Sequence, residues 1–195
     1  MKQLMIIGTD TDVGKTYVSG LILKKLHENG KKAAYFKAAM SGNVRLADGS
    51  LLPGDADFVK TISGISQPLA DMCPYVYETA VSPHLAAKIE GNLIEWEKIQ
   101  ETYNTFCSTY DFVTVEGSGG ILCPLRHDET ASFSLADFVK SQHLSCLLVA
   151  DAGLGTLNHV GLTAAYLKNQ NIPLQGIILN RFQTGNLLHE DNKVM

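Results

Sequence analysis

The sequence has little of what marks a zinc-binding, secreted, membrane or nucleic-acid-binding protein. None of its four cysteines has C-x-x-C spacing or lies beside paired histidines, so no zinc site or redox motif is indicated. The first apolar stretch ends at Gly8, too soon for a signal peptide or a membrane helix. The net charge of -4 provides no basic surface for nucleic acid or anionic lipid. We therefore expect a cytoplasmic protein with small-molecule partners, no nucleic acid and no membrane, and reduced, mostly buried thiols at Cys73, Cys107, Cys123 and Cys146.

What is present is the composition of an ordinary globular protein. The 195 residues are 45% hydrophobic and 18% charged, which argues against disorder. This length suits one compact core. No internal repeat, low-complexity segment or linker divides the sequence, so we expect a single domain over residues 1–195.

Apolar runs and helical periodicities alternate along the chain. Short continuous apolar runs predict strands buried in a parallel sheet, at 4–7, 33–36, 112–115, 146–150 and 175–179. Apolar spacings of three and four predict helices at 16–27, 93–106 and 156–169, with short helices from Asp55 and from Pro83 to about Glu90, the latter capped by Ser82. The segment 38–54 is interpreted as a functional loop. The alternation predicts an α/β fold with a doubly wound, mostly parallel sheet flanked by helices.

A glycine-rich segment from Gly8 to Thr16 joins the first strand to the first helix, where a phosphate-binding loop has to lie. It has one residue more than the common pattern G-x-x-x-x-G-K-[ST]. Loop amides can surround phosphate oxygens, Lys15 can reach the β- and γ-phosphates, and the Thr16 hydroxyl can bind magnesium. The segment predicts a P-loop NTPase-like fold that binds ATP and Mg²⁺, with nucleotide contacts from Asp12, Val13, Gly14, Lys15, Thr16 and Tyr17. Asp12 either contacts the ligand or only shapes the turn.

Charged side chains follow two further predicted strands. Glu116 follows the strand 112–115, where P-loop proteins place an acidic residue near the metal, and the adjoining Gly117, Ser118 and Gly119 let the backbone approach the nucleotide. A second carboxylate ligand for magnesium is either Asp55 or Asp57, and the residues alone do not choose between them. Lys37 follows the second strand and either adds positive charge near Lys15 or only solvates a strand end.

Five segments occur in the order typical of the dethiobiotin synthetases, and together they cover almost the whole chain. They are Gly8 to Thr16, Lys37 with Ser41–Gly42, Ser82 to His84, Glu116 to Gly120, and Leu154 to His159. The chain therefore resembles this family. The resemblance implies ATP-dependent carboxylation and ring closure of 7,8-diaminopelargonic acid with CO2, by way of a carbamate and a carbamic-phosphoric anhydride, giving dethiobiotin, ADP and phosphate.

The resemblance also implies a role for individual residues. Lys15 and Lys37 would stabilise the charge that develops during catalysis, Thr16, Asp55 and Glu116 would bind magnesium, and Ser41 and Asn180 would contact the substrate and the adenine. The family is dimeric, so the substrate's carboxylate would be bound by Gly155 and Asn158 of the partner subunit, at a helix N-terminus.

Three features depart from the family pattern. Lys37 is followed by Ala38 where the family often has proline. Arg181 stands after Asn180 where an acidic residue is common, which makes the purine contacts there less certain. We also expect that the sequence, ending at Met195, lacks the final strand and helix of the family.

Three other functions fit parts of the pattern. A nucleotide-dependent ATPase switch of the MinD and ParA kind shares the fold, but its signature lysine early in the P-loop is absent here, where Thr9 and Asp10 stand. An amidoligase related to cobyrinic acid diamide synthesis would carry a further glutaminase domain. A catalytically inactive nucleotide-binding module is suggested only by the expected missing C-terminal segment.

Overall fold

The computed structural model describes residues 2–195. In this part of the chain the strands are β1 (Lys2–Gly8), β2 (Ala33–Lys37), β3 (Val44–Arg45), β4 (Leu51–Leu52), β5 (Phe112–Gly120), β6 (Pro124–His127), β7 (Ser132–Ser134), β8 (Cys146–Asp151) and β9 (Leu174–Asn180). The helices are α1 (Lys15–Glu28), α2 (Gly54–Ser63), α3 (Pro83–Ile89), α4 (Trp96–Thr109), α5 (Leu135–Ser141), α6 (Thr156–Asn169) and α7 (Leu187–Val194), with a short 3-10 turn at Leu69–Asp71. None of these helices is long and apolar enough to cross a membrane.

Five strands form a parallel sheet in the order β2-β5-β1-β8-β9. The predicted α/β architecture is therefore confirmed, and each of the five predicted strands is present. Because all five strands point the same way, their carboxyl ends meet at one edge of the sheet. In open α/β sheets ligands bind outside that edge.

Alternate residues of each strand pack on opposite faces of the sheet, as the two-residue period of a strand requires. On β2, Phe36 packs with Tyr103 of α4 and Phe138 of α5, whereas Tyr35 packs in a second cluster with Leu23 of α1 and Val59 of α2. Both faces are thus covered by helices. This explains why the strands are continuous apolar runs rather than alternating ones.

Several element boundaries differ from the sequence-based expectation. The strand β5 continues to Gly120, so Glu116 lies within a strand and not at its end. The helix α4 begins at Trp96, three residues later than predicted. Ser82 is the N-cap residue of α3 and Pro83 its first residue, as predicted, although the Ser82 side chain makes no capping hydrogen bond. The segment 38–54 contains the hairpin of β3 and β4.

Some elements were not predicted at all. The hairpin of β6 and β7 follows β5, and α5 starts directly after it. Ser134 and Asp137 form a capping box at the start of α5, and this S-x-x-D spacing was a usable signal. All four cysteines are free, with Cys73 and Cys146 buried and Cys107 and Cys123 half-buried.

Candidate active site

The loop between β1 and α1 has the backbone geometry of a phosphate-binding loop. Asp12 and Gly14 adopt left-handed conformations, with φ of 58° and 100°. A Cβ atom on Gly14 would lie 2.0 Å from the Nδ2 atom of Asn180, so glycine is required at this position for steric as well as conformational reasons. The loop is thereby held against the end of β9.

Lys15 is the first residue of α1 and is buried. Its Nζ atom donates a hydrogen bond to the carbonyl of Asp10 at 2.7 Å. Burial, and then repulsion from Lys37, lower the pKa of Lys15, while Glu116 and Asp55 oppose the shift. Within residues 2–195 its ammonium forms no direct ion pair, so an incoming anion would meet a positive charge that is not yet neutralised.

A cluster of four side chains from four elements lies beside this lysine. The Nζ atom of Lys37 lies 2.5 Å from Oδ2 of Asp55 and 2.8 Å from Oε1 of Glu116. The hydroxyl of Thr16 donates to the same Glu116 oxygen at 2.8 Å and lies 3.4 Å from Oδ1 of Asp55. We call these four residues, Thr16, Lys37, Asp55 and Glu116, the carboxylate cluster.

The protonation states in the carboxylate cluster follow from its contacts. Burial alone would lower the pKa of Lys37, but attraction to Glu116 and Asp55 outweighs burial and raises it. Burial would likewise raise the pKa of Asp55, but attraction and a hydrogen bond from Lys37 lower it. Lys37 is therefore positively charged and Asp55 negatively charged at neutral pH.

Tyr35 contacts the carboxylate cluster from the protein core. It was not predicted as a site residue. It is fully buried, and its hydroxyl donates to Oε2 of Glu116 at 3.0 Å. Burial, and then the Glu116 charge, raise the pKa of Tyr35 well above its usual value, so the hydroxyl keeps its proton. The usable signal was spacing, because residues two apart on a strand share a face, and Tyr35 is two residues before Lys37.

The donor set of the cluster fits a magnesium ion. Thr16, Asp55 and Glu116 bring three hard oxygen ligands together, the type that Mg²⁺ takes alongside phosphate oxygens and water. The described chain has no group of three or more His, Cys, Asp or Glu that could bind a metal by itself. Asp55 contacts Thr16 and Lys37 within the cluster, whereas Asp57 does not line the cleft beside it.

The cluster opens into a cleft of about 1180 Å³ at the carboxyl edge of the sheet. Most of the predicted site residues line it, namely Asp12, Gly14, Lys15, Thr16, Tyr17, Lys37, Ser41, Asp55, Glu116, Ser118 and Gly119. Val13, Gly117, Gly155, Asn158 and Asn180 are outside the lining. The cleft is also lined by residues that were not predicted for the site from the sequence, namely Met40, Phe58, Cys123, Arg181 and the α3 approach from Ala80 to Pro83.

Two serines join the loops that form the cleft wall. The hydroxyl of Ser41 donates to the carbonyl of Val81, ahead of α3, at 2.5 Å. The hydroxyl of Ser118 donates to the carbonyl of Ala39 at 2.9 Å. The segment after β2 is thus tied both to the α3 approach and to β5, which gives Ser41 a defined position at the cleft.

The segment that precedes α6 lies outside the cleft. Gly155 has a φ of 88° and occupies the N-cap position of α6, and Asn158 in the first turn is exposed. Large apolar side chains are exposed on the same helix and just before it, with Leu154 90% and Leu162 65% exposed. Within one copy of the chain this region makes no contribution to the cleft lining.

The end of β9 contacts the back of the phosphate-binding loop. The Nδ2 atom of Asn180 donates to the carbonyl of Val13 at 2.9 Å. The guanidinium of Arg181 donates to the carbonyl of Asp12 at 2.7 Å and forms an ion pair with Asp151 at 2.8 Å. Asn180 is the last residue of β9, not the residue after the strand.

The chain is similar to proteins of known family over nearly its whole length. A family model described as an AAA domain matches residues 2–193. The kinase domain of the Escherichia coli tyrosine kinase ETK, a solved structure, superposes with a TM-score of 0.52 over 94% of this chain and 70% of its own, at 18% identity. That likeness shows the fold alone.

Curated relatives are more closely similar in sequence. The ATP-dependent dethiobiotin synthetase of Clostridium novyi is 47% identical over 98% of this chain and 80% of its own length. The synthetase of Brachyspira hyodysenteriae is 43% identical over 100% of this chain and 86% of its own length. With the P-loop geometry at the end of β1, these similarities establish that the chain belongs to the ATP-dependent dethiobiotin synthetase family of ligases.

Proposed function

We propose that this protein carboxylates 7,8-diaminopelargonic acid with CO2 and closes the ureido ring of dethiobiotin, converting ATP to ADP and phosphate. The observation that supports it best is the meeting of Lys15 and the carboxylate cluster at one end of a cleft. The MinD-like switch is not favoured by any contact in the cleft.

The proposed reaction has three steps. One amine of the substrate adds to CO2 and loses a proton, giving a carbamate. A carbamate oxygen attacks the γ-phosphorus of ATP, and the bond to ADP breaks, which leaves a carbamic-phosphoric anhydride. The second amine then attacks the carbamate carbon, loses its proton and expels phosphate. Negative charge on the transferred phosphoryl group must be stabilised throughout.

Each charged side chain has a role in this scheme. Lys15, whose ammonium forms no ion pair within residues 2–195, would bind the phosphates, and Lys37 would stabilise the phosphoryl group and the anhydride. Thr16, Asp55 and Glu116 would hold Mg²⁺, which when bound neutralises phosphate charge. Ser41, fixed by Val81, would orient the diamine beside the reacting phosphate.

The reaction test is product formation from defined substrates. Protein supplied with Mg-ATP, diaminopelargonic acid and ¹³C-bicarbonate should form dethiobiotin one mass unit heavier, with ATP consumption that requires both co-substrates. ATP turnover indifferent to the diamine would contradict the proposal. Lys37→Ala should retain ATP binding and lose most product formation, whereas Lys24→Ala, an exposed lysine on α1, should behave as wild type.

The proposal includes a homodimer in which Gly155 and Asn158 of a second copy complete the substrate site. It is supported by the exposed helix N-terminus of α6 and the exposed leucines beside it. Lys37→Ala and Asn158→Ala proteins, each inactive or weak, should regain activity when mixed and allowed to exchange subunits, because one site of the hybrid is intact. Absence of recovery in a mixture shown to contain hybrids would contradict a shared site.

A further inference from the structure

We propose that Arg181 is a positioning residue of the phosphate-binding loop. Together with Asn180 it holds two consecutive loop carbonyls, so that the amides following them face the phosphates. The inference rests on the proposed function, since it concerns how the same site binds the triphosphate. It assigns to Arg181 a role in binding phosphate and not the base.

The two contacts fix successive peptide groups. Arg181 donates to the carbonyl of Asp12 at 2.7 Å, and Asn180 donates to the carbonyl of Val13 at 2.9 Å. In a planar trans peptide the carbonyl and the next N–H point in opposite directions. The N–H groups of Val13 and Gly14 are therefore directed away from the end of β9. Asp12 and Gly14 line the cleft, whereas the Val13 side chain packs in the core. Successive amides facing one side form a concave anion site.

Both ends of the Arg181 contact have an unfavourable backbone conformation. Asp12 and Arg181 each have a φ of 58°, a region that residues other than glycine, and long side chains above all, rarely adopt. Such conformations persist where surrounding contacts hold them, and they concentrate at functional sites. Here the hydrogen bond between the two residues supplies that contact.

A second anchor holds the guanidinium in place. Its Nη1 atom lies 2.8 Å from Oδ2 of Asp151, whose other oxygen accepts from the N–H of Gly153 at 2.8 Å. Asp151 and Asn180 are register partners at the ends of β8 and β9. The planar guanidinium can donate to the carboxylate and to the loop carbonyl at once, which a lysine ammonium does less well.

Direct reading of the nucleotide base is the competing role, because Arg181 also lines the cleft. If Arg181 contacts the base, replacing it should weaken the binding of ATP but not the binding of a ligand that has no base. If Arg181 shapes the loop, replacing it should weaken the binding of both ligands equally. Inorganic tripolyphosphate, with Mg²⁺, is therefore the probe that separates the two roles.

The experiment is calorimetric titration of Mg-ATP and Mg-tripolyphosphate into wild type, Arg181→Ala, Arg181→Lys and Arg45→Ala. Arg45 is a matched control, since it too joins an exposed carboxylate, Glu78, to a loop carbonyl, that of Gly49, outside the cleft. Losing one charged hydrogen bond should weaken both ligands by the same factor, about five- to tenfold, in Arg181→Ala. Arg181→Lys should recover part of the loss, and Arg45→Ala should match wild type.

Steady-state kinetics provide a second readout. Arg181→Ala should raise KM for ATP while leaving kcat and KM for the diamine near wild type, a split that general destabilisation would not produce. Weakened ATP binding with unchanged tripolyphosphate binding would overturn the inference in favour of a base contact. Unchanged binding of both ligands, or a wild type that binds ATP but no tripolyphosphate, would also overturn it. A wild type that binds both ligands yet makes no dethiobiotin would contradict the proposed function and not this inference.

Discussion

Lys37 and Glu116 are register partners on the neighbouring strands β2 and β5, and the Lys37 ammonium lies 2.8 Å from a Glu116 carboxylate oxygen. Both side chains are almost fully buried. A buried charge without a partner is strongly unfavourable, so each holds the other in the sheet. The pair thus places a cation and an anion at the cleft edge, where phosphate and a metal ion require opposite charges.

Removing the Lys37 charge should leave Glu116 and Asp55 uncompensated. We expect Lys37→Met to lower the free energy of unfolding by about 3 kcal/mol, the cost of breaking a buried pair. Mg²⁺ should then raise the melting temperature of the variant more than that of wild type, because it binds the uncompensated carboxylates of the folded state. Thermal unfolding with and without Mg²⁺ measures both effects.

The double variant Lys37→Met/Glu116→Gln is the control for this prediction. Because one carboxylate is neutralised, the double variant should lose less free energy of unfolding than Lys37→Met, and Mg²⁺ should raise its melting temperature less. An equal Mg²⁺ response in wild type and Lys37→Met would contradict the assignment of these oxygens to a metal.

Tyr35→Phe should remove one of the hydrogen bonds that hold the Glu116 carboxylate in place. It removes the hydroxyl that donates to Glu116 and should cost about 2 kcal/mol, because hydrogen bonds to charged groups exceed neutral ones. Tyr77→Phe is the control, since its buried hydroxyl donates at 2.7 Å to a neutral carbonyl, that of Asn92, and should cost about 1 kcal/mol. Denaturant unfolding of both variants gives these values.

The two tyrosine variants should also differ in the Mg²⁺ dependence of their activity. Only Tyr35→Phe should raise the Mg²⁺ concentration needed for half-maximal activity, because only Tyr35 contacts a proposed metal ligand. A similar increase in Tyr77→Phe would show that the effect comes from general destabilisation and not from Glu116.

All five predicted strands are present, but the prediction ended β5 at residue 115 instead of Gly120 and did not include the order of the strands in the sheet. Each predicted strand was bounded by residues that could be read locally, such as Gly8 after an apolar run. The order of the strands depends on which helices cover which face, and no local pattern contains it. The pairing of Lys37 with Glu116 was therefore out of reach, although each was proposed singly for the site.

The choice between Asp55 and Asp57 shows the same limit at the level of a helix turn. Both acidic residues lie in the first turn of α2, and composition treats them alike. Only the packing of α2 against α1 directs Asp55 towards Thr16 and Lys37. Arg181 was noticed as a departure, but its contact with the Asp12 carbonyl spans 169 positions of sequence and required the structure.

Acid should destabilise the protein in part through Asp55. Its pKa is lowered from the ordinary 3.8, because Lys37 outweighs the effect of burial. A group with a lowered folded-state pKa adds stability above its unfolded value, and that stability is lost as pH falls through the lowered one. Asp55→Asn should therefore flatten the fall of melting temperature below about pH 4. Asp57→Asn, on the same helix turn, is the matched control, and equal slopes in both variants would exclude Asp55 as the source.

Thiol labelling should report occupancy of the cleft. Burial raises the pKa of Cys73 and of Cys146 to about 12, and both should stay unmodified in the folded protein. Cys123 lines the cleft and is half-buried, with a pKa that burial raises, so it should react slowly with iodoacetamide. Cys107, also half-buried, lies outside the cleft and provides an internal control.

Mg-ATP at ten times its Kd occupies about nine-tenths of the sites and should slow Cys123 labelling about tenfold, leaving Cys107 unchanged. Peptide mass spectrometry at timed intervals measures the two rates in one sample. An equal decrease of both labelling rates would indicate that the ligand reduces the flexibility of the whole protein and does not shield Cys123 specifically. No slowing at Cys123 would mean that the nucleotide does not cover this part of the cleft, because a thiol beneath a bound triphosphate cannot be reached while the ligand remains.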